Sequence, residues 1–399
     1  MSRAHPAAEH LRAVFNYLRL RRAKGLLGAD QLVKNLAFAG ARLWGPRRTN
    51  GRSPLIATLA VTSRCPCNCL HCSEGYQGGY ELPRAALDQT IDDLVNLGCP
   101  VIALTGGEPF FRSDFMDLLE RVPASTASII YTSGIGLSPE LARRLQKKAN
   151  LFVCFSLDHS EPDEHDRRRR RKGAHQAVLQ GLSLLNKGKA ELHVSTLVTR
   201  DRLQSGELSE FIRLTRKWGA ACVQVFQPRP VGRLFGERAG LLTPNEEREL
   251  FTIADEMNRD PEAPLVVACP ALEQPDMLGC CGGYARVYVD SHGHVCPCDF
   301  APLSFGRITD EPFAQIWSRM RTFFETPGSR CLVRDHPEVF ARAREGRNLI
   351  FSELSDPETL QSPPPGVYQR FNEKFYRALI PNLLLATSAL PRFRNDPHE

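Results

Sequence analysis

Residues 55–72 read Leu-Ile-Ala-Thr-Leu-Ala-Val-Thr-Ser-Arg-Cys65-Pro-Cys-Asn-Cys69-Leu-His-Cys72. The apolar run predicts a strand over 55–62, and the loop after it carries three cysteines at C-x3-C-x2-C spacing. Soft thiolates suit iron–sulfur chemistry, and three on one short loop can hold three irons of a cubane [4Fe–4S] cluster. The fourth iron then takes no ligand from this loop and is left open to a small molecule. Cys67 is a further thiol inside the motif and out of its register, so it is given no ligand role. The plainer alternatives are a zinc site or buried thiols. Structural zinc needs paired ligands that close a tetrahedron, and no other C-x2-C pair in the chain matches this one.

Working outward, residues 101–109 read Val-Ile-Ala-Leu-Thr-Gly106-Gly107-Glu108-Pro109, a hydrophobic strand that ends in a Gly-Gly-Glu-Pro turn. Two glycines let backbone approach a ligand closely, and a carboxylate can accept from an ammonium group. In order and separation the two motifs resemble those of the radical S-adenosylmethionine (SAM) superfamily. The resemblance implies that Cys65, Cys69 and Cys72 hold the cluster. It places the SAM amino group at Gly106, Gly107, Glu108 and Pro109. Phe155-Ser156-Leu157-Asp158 resembles the family's ribose-contacting segment, and Ser156 and Asp158 share one face of a strand. Tyr131-Thr132-Ser133-Gly134 stands where a Thr-Asn-Gly segment is common, with Ser133 in place of the asparagine. One arginine of the run Arg167–Lys172 is a candidate to orient substrate, although charge runs are usually solvated loops.

Strand-like runs recur at 55–62, 100–105, 127–132, 151–157, 191–198 and 221–227, with helical patterns between them. This alternation predicts an α/β fold of parallel strands with right-handed crossovers. Six units do not fill an eight-unit barrel, so a partial, open (β/α)6 barrel is expected, which is also the fold that the resemblance implies. Both motifs follow the C-terminal ends of strands, where barrel enzymes place their chemistry. The domain boundaries read as a basic amphipathic arm over 1–52, the barrel core over 53–235, a connecting helical segment over 236–262, an auxiliary domain over 263–350, and a linker with an amphipathic tail over 351–399.

The auxiliary assignment rests on Cys281, Gly293 and Cys298, which fit the C-x(9–15)-G-x4-C pattern of SPASM and twitch domains. That resemblance implies an auxiliary iron–sulfur cluster held by Cys281, Cys298 and Cys331, with Cys269, Cys280 or Cys296 as the fourth ligand. The family's following C-x2-C block is missing, which points to one cluster rather than two. A zinc site on the same thiolates is the alternative. Cys99, Cys154 and Cys222 lie in or beside apolar strands and read as core residues.

The chain has 399 residues, 13 cysteines and a net charge of +6. No apolar run approaches the ~18 residues that cross a bilayer, and no cleavable signal opens the chain. Many cysteines without an export signal argue for metal ligation in a reducing cytoplasm rather than for disulfides. Residues 1–52 hold eleven Lys/Arg against two acids, so the rest of the chain nets −3. Their two amphipathic patterns, around Leu11–Arg22 and Leu32–Trp44, suit docking on the barrel or peripheral contact with an anionic membrane at its inner face. Nucleic-acid binding is disfavoured, because no aromatics interleave the basic run.

The resemblance implies a radical SAM oxidoreductase or maturase with a [4Fe–4S] cluster and SAM as cofactors. Such an enzyme splits SAM reductively to a 5′-deoxyadenosyl radical that abstracts hydrogen from an unactivated C–H bond. The substrate is a peptide, a lipid or a small metabolite, and an electron donor such as flavodoxin or ferredoxin is a required partner. The alternative reading is a non-catalytic iron–sulfur electron carrier or a zinc-stabilised scaffold.

Overall fold

The computed structural model describes residues 53–75, 78–148, 150–235, 240–260, 262–275, 278–340 and 348–364. The arm over 1–52 and the tail beyond 364 lie outside the described residues, as do the expectations attached to them.

The six predicted runs form six parallel strands: β1 (Ile56–Ala60), β2 (Val101–Thr105), β3 (Ala127–Thr132), β4 (Leu151–Ser156), β5 (Glu191–Leu197) and β6 (Cys222–Phe226). Between them run α1 (Arg84–Asn96), α2 (Phe115–Arg121), α3 (Pro139–Lys147), α4 (Pro162–Arg169), α5 (Ala174–Leu185), α6 (Arg200–Gln204) and α7 (Leu208–Lys217). The strands read as near-continuous apolar runs because both faces are covered. One set of side chains, among them Ala57, Leu59, Val153 and Phe155, packs under the helices. The other, Ile56, Val101, Ala103, Ile129 and Cys154, forms a separate cluster on the opposite, concave face. Ser138 begins α3 by accepting a hydrogen bond from Leu141 N, with Pro139 in the first turn, as its sequence foretells.

The sheet runs on past the sixth strand. Its order is β7-β6-β5-β4-β3-β2-β1-β8-β9, with edges that do not meet, so the barrel is open. β7 (Leu265–Ala268) pairs parallel with β6 and is reached through α8 (Pro244–Arg259), which a Thr243/Glu246 capping box starts. β8 (Arg286–Val289) pairs parallel with β1, placing Arg286 opposite Ile56, and β9 (Val295–Cys296) turns back antiparallel to β8. The segment expected as a separate unit over 263–350 thus gives three strands to the core sheet, and 236–262 holds a crossover helix. Four-residue runs such as Leu265–Ala268 are too short for alternation to mark them as strands. Cys99, Cys154 and Cys222 are buried core residues, as expected. Among the described residues, no helix is long and apolar enough to cross a membrane.

Candidate active site

The loop after β1 is held by backbone bonds to the turn after β2. Gly107 N donates to Thr62 O and Glu108 N to Arg64 O, each at 2.7 Å. Gly106 has φ +138°, and a Cβ there would overlap the Thr62 carbonyl oxygen. At Gly107 a Cβ would overlap the Arg64 carbonyl oxygen. The two glycines are therefore required by the approach of the cysteine loop as well as by any ligand. Cys65, Cys69, Cys72, Gly106, Gly107, Ser156 and Asp158 line one cavity of about 270 Å³ at the C-terminal ends of the strands. Cys67 shares this lining, is 2% exposed, and sits within hydrogen-bond reach of both Cys65 and Cys69.

Glu108 does not face the cavity. Its carboxylate accepts from Thr132 Oγ1 (2.7 Å), Ser133 N (2.7 Å), Ser133 Oγ (2.6 Å) and Phe110 N (3.2 Å), and it is fully buried. Burial pushes its pKa up, while these four donors pull the other way. Four donors thus engage the carboxylate that the resemblance assigns to the SAM amino group. Glu108 braces the turns after β2 and β3, and the backbone of Gly106 and Gly107 is what reaches the cavity. Pro109, also buried, opens a single 3₁₀ turn behind it. Ser133, the departure from Thr-Asn-Gly, serves this brace.

Asp158 is 1% exposed, and its carboxylate is likewise engaged. Arg169 Nη2 lies 2.8 Å from Oδ2, His71 Nε2 lies 3.6 Å from it, and Leu197 N donates to Oδ1 at 3.1 Å. Burial opposes ionisation of Asp158, but Arg169, His71 and His165 hold its pKa well below the usual carboxylate range. Burial brings His71 down to about 4 despite the nearby Asp158, so its imidazole is neutral at pH 7. Arg169 Nη1 reaches Cys69 Sγ at 3.7 Å. One arginine of the basic run, half-buried, thus ties Asp158 to a cysteine of the loop. Ser156, half-buried and 3.4 Å from Ser195 Oγ on the next strand, is the polar group of β4 left facing the cavity.

Arg286 on β8, and Asp299 and Phe300, which directly follow Cys298, line the same cavity. Arg286 and Asp299 form an ion pair, as do Arg229 and Glu273 nearby. Cys298 is pushed up to about 12 by burial, with Arg286 opposing. Cys280 lies with Cys298 and Cys331, and burial and these two neighbours raise its pKa. A reciprocal backbone pair with Gly328 (2.7 and 3.0 Å) ties Cys280 to the segment before Cys331. Cys281, expected in this group, turns its sulfur toward the carbonyls of Leu278 and Gly279, at 4.0 and 3.9 Å. Cys296 is buried on β9, and Cys269 is half-buried beside Glu273 at the start of α9 (Cys269–Leu272).

Comparison with known proteins agrees with this geometry. Residues 59–211 match the model of the radical SAM superfamily, and residues 280–334 match that of the SPASM iron–sulfur cluster-binding domain. The chain carries a radical SAM domain and a SPASM domain. It is 25% identical over 323 residues to the AdoMet-dependent heme synthase of Methanosarcina barkeri, covering 73% of this chain and 91% of that one. It is 27% identical over 286 residues to the mycofactocin maturase MftC of Mycolicibacterium smegmatis, covering 68% and 72%. Among solved structures, SuiB of Streptococcus suis bound to S-adenosylmethionine superposes with a TM-score of 0.55 at 16% identity, covering 70% of each chain. This last likeness speaks to the fold alone.

This radical SAM enzyme uses a [4Fe–4S] cluster and SAM, with auxiliary iron–sulfur ligation in its SPASM domain. The first site's donor set fits such a group: cysteine thiols on one backbone-braced loop, with a guanidinium against one sulfur. Among the described residues, no three His, Cys, Asp or Glu side chains converge tightly enough to hold a single metal ion. A cubane takes its thiolates at its corners rather than about one point. Sequence reasoning missed His71, Arg286 and the particular role of Arg169, while Cys280 stood among its candidates for the fourth auxiliary ligand. Only the Arg run after His165-Asp166 carried a signal.

Proposed function

We propose that this enzyme performs SAM-dependent radical chemistry on a peptide. The carrying observation is that the three-cysteine loop and the Gly106–Gly107 backbone are locked together along one cavity. When bound, the cluster supplies one electron and SAM the radical source. Cys65, Cys69 and Cys72 ligate the first cluster. The backbone of Gly106 and Gly107 meets the amino group of SAM, Glu108 and Pro109 fix that turn, and Ser156 offers a hydroxyl to its polar groups. Asp158 acts through Arg169 and His71, which set the loop. Cys298, Cys331 and Cys280 or Cys281 hold a single auxiliary cluster, close to the cavity lining of Asp299 and Phe300.

The peptide substrate is supported by relatives whose names carry that chemistry, the mycofactocin maturase and a PqqA peptide cyclase from Granulibacter bethesdensis. A second reading, a tetrapyrrole-type substrate, is favoured by the heme synthase relatives, which align over 73% of this chain. The enzyme requires a one-electron donor such as flavodoxin or ferredoxin, and residues 1–52 suit contact with an anionic membrane. The discriminating experiment incubates reduced enzyme and SAM with short peptides encoded beside its gene, or separately with an iron porphyrin. Peptide-stimulated 5′-deoxyadenosine together with a mass change in the peptide is expected. Stimulation by the porphyrin alone would move the assignment to the second reading.

A further inference from the structure

The arginine run has a second feature that the site does not use. α4 segregates its charge, with Asp163 and Glu164 in the first turn and Arg167, Arg168 and Arg169 in the last. Its basic end abuts the cysteine loop. Asn68 N donates to Arg169 O and Leu70 N to Arg168 O, each at 3.0 Å, while the Arg169 side chain contacts Cys69 Sγ. Arg170 then caps the helix with φ 47°, a left-handed conformation uncommon for arginine, and turns the chain out of the helix. Arg170, Arg171 and Lys172 are exposed, as is Asn68 on the loop. Glu164 takes Arg167 and Arg168, and Asp158 takes Arg169. Among the described residues, no acidic side chain pairs with Arg170, Arg171 or Lys172.

We propose that Arg170, Arg171 and Lys172, with the Asn68 tip of the cysteine loop, form the docking surface for an acidic, low-potential one-electron carrier of the flavodoxin or ferredoxin class. This rests on the radical SAM reading, in which the cluster held by Cys65, Cys69 and Cys72 takes up one electron and the carrier is oxidised by one. A carrier seated here is separated from Cys69 by two backbone hydrogen bonds and one guanidinium–sulfur contact. Its negative face meets cations left unpaired, an arrangement that steers encounter and raises association rates by roughly 10–10³ at low salt. A neighbouring cavity of about 530 Å³, lined by Arg167, Arg168, Arg170, Arg233 and Asp201, offers the same charge to a small anionic substrate. Three features favour the carrier: the exposure of Arg171 and Lys172, their place outside that cavity, and the direct tie to the cysteine loop.

The test compares wild type with the triple variant Arg170→Glu, Arg171→Glu, Lys172→Glu. Both are mixed anaerobically with flavodoxin hydroquinone, and bleaching of the cluster absorbance is followed. In the wild type the second-order rate constant should fall steeply as salt rises. The variant should be at least 10-fold slower at low salt and converge on wild type at high salt. Reduction by dithionite, iron content and melting temperature should be unchanged. Equal flavodoxin rates in the two proteins would overturn the proposal, as would an equal loss with dithionite. A raised substrate KM with unchanged reduction would assign the patch to an anionic substrate instead. Wild type that binds no iron would overturn the radical SAM reading itself. Docking is then decided by titrating oxidised flavodoxin against both proteins, where equal affinities would overturn it.

Discussion

Replacing Gly107 with alanine is expected to remove most bound iron and to cut 5′-deoxyadenosine formation at least 100-fold. The Cβ it adds would overlap the Arg64 carbonyl oxygen, with the Arg64 carbonyl carbon 2.5 Å away. Both atoms are backbone, so no side chain can swing aside. Relief requires the loop after β1 to move off the turn after β2, breaking the 2.7 Å bonds Gly107 N–Thr62 O and Glu108 N–Arg64 O. Overpacking of this kind costs about 1–3 kcal/mol and each lost backbone bond roughly another 1 kcal/mol. The fold, supported by a nine-stranded sheet, should survive. The alignment of Cys65 with its partners should not. Gly240→Ala is the matched control, since a Cβ there meets nothing within 4 Å, and it should leave iron content and turnover unchanged.

The second large effect belongs to Arg169. Changing it to methionine leaves Asp158 buried without its guanidinium partner, and breaking a buried ion pair from one side costs about 3–5 kcal/mol. Asp158 has a depressed pKa in the folded state, so the pair's contribution is present above the ordinary carboxylate value of ~4 and is lost as pH falls below it. Denaturant unfolding of the metal-free protein should therefore show a gap between wild type and Arg169→Met that is full at pH 7 and narrows below about pH 4. The double variant Arg169→Met, Asp158→Leu should recover much of the stability. It should not recover full iron retention, because the guanidinium contact to Cys69 is gone. Recovery of both would reduce Arg169 to a packing role.

These two sites mark where the sequence was legible and where it was not. The core strands could be read because each is an apolar run long enough to stand out, and the cysteine and glycine motifs because their spacing is local. Their meeting in one cavity follows from both lying at the C-terminal ends of parallel neighbours. The side chain of Glu108 was harder. Whether it turns to the cavity or to Thr132 and Ser133 depends on how closely two turns pack, which no local pattern records. Arg169 was hidden for a different reason. It is one of six consecutive cations, and only the fold decides which of them packs against Asp158. β7 escaped notice because a four-residue strand carries no period, whereas Tyr284–Asp290 with its turn at Ser-His-Gly293 reads as the first arm of a hairpin, which β8 and β9 form. The choice between Cys280 and Cys281 is open to spacing alone, since both fit the interval to Gly293.

The most direct test of the account is anaerobic. Reconstituted protein is reduced with dithionite and mixed with SAM, 5′-deoxyadenosine is quantified by chromatography, and iron and sulfide are assayed. A Cys65/Cys69/Cys72→Ala variant runs beside it. Wild type should bind iron and sulfide and release 5′-deoxyadenosine, while the variant should release none and keep only the iron of its SPASM domain. Zinc in place of iron in the wild type, or equal 5′-deoxyadenosine from both proteins, would contradict the account.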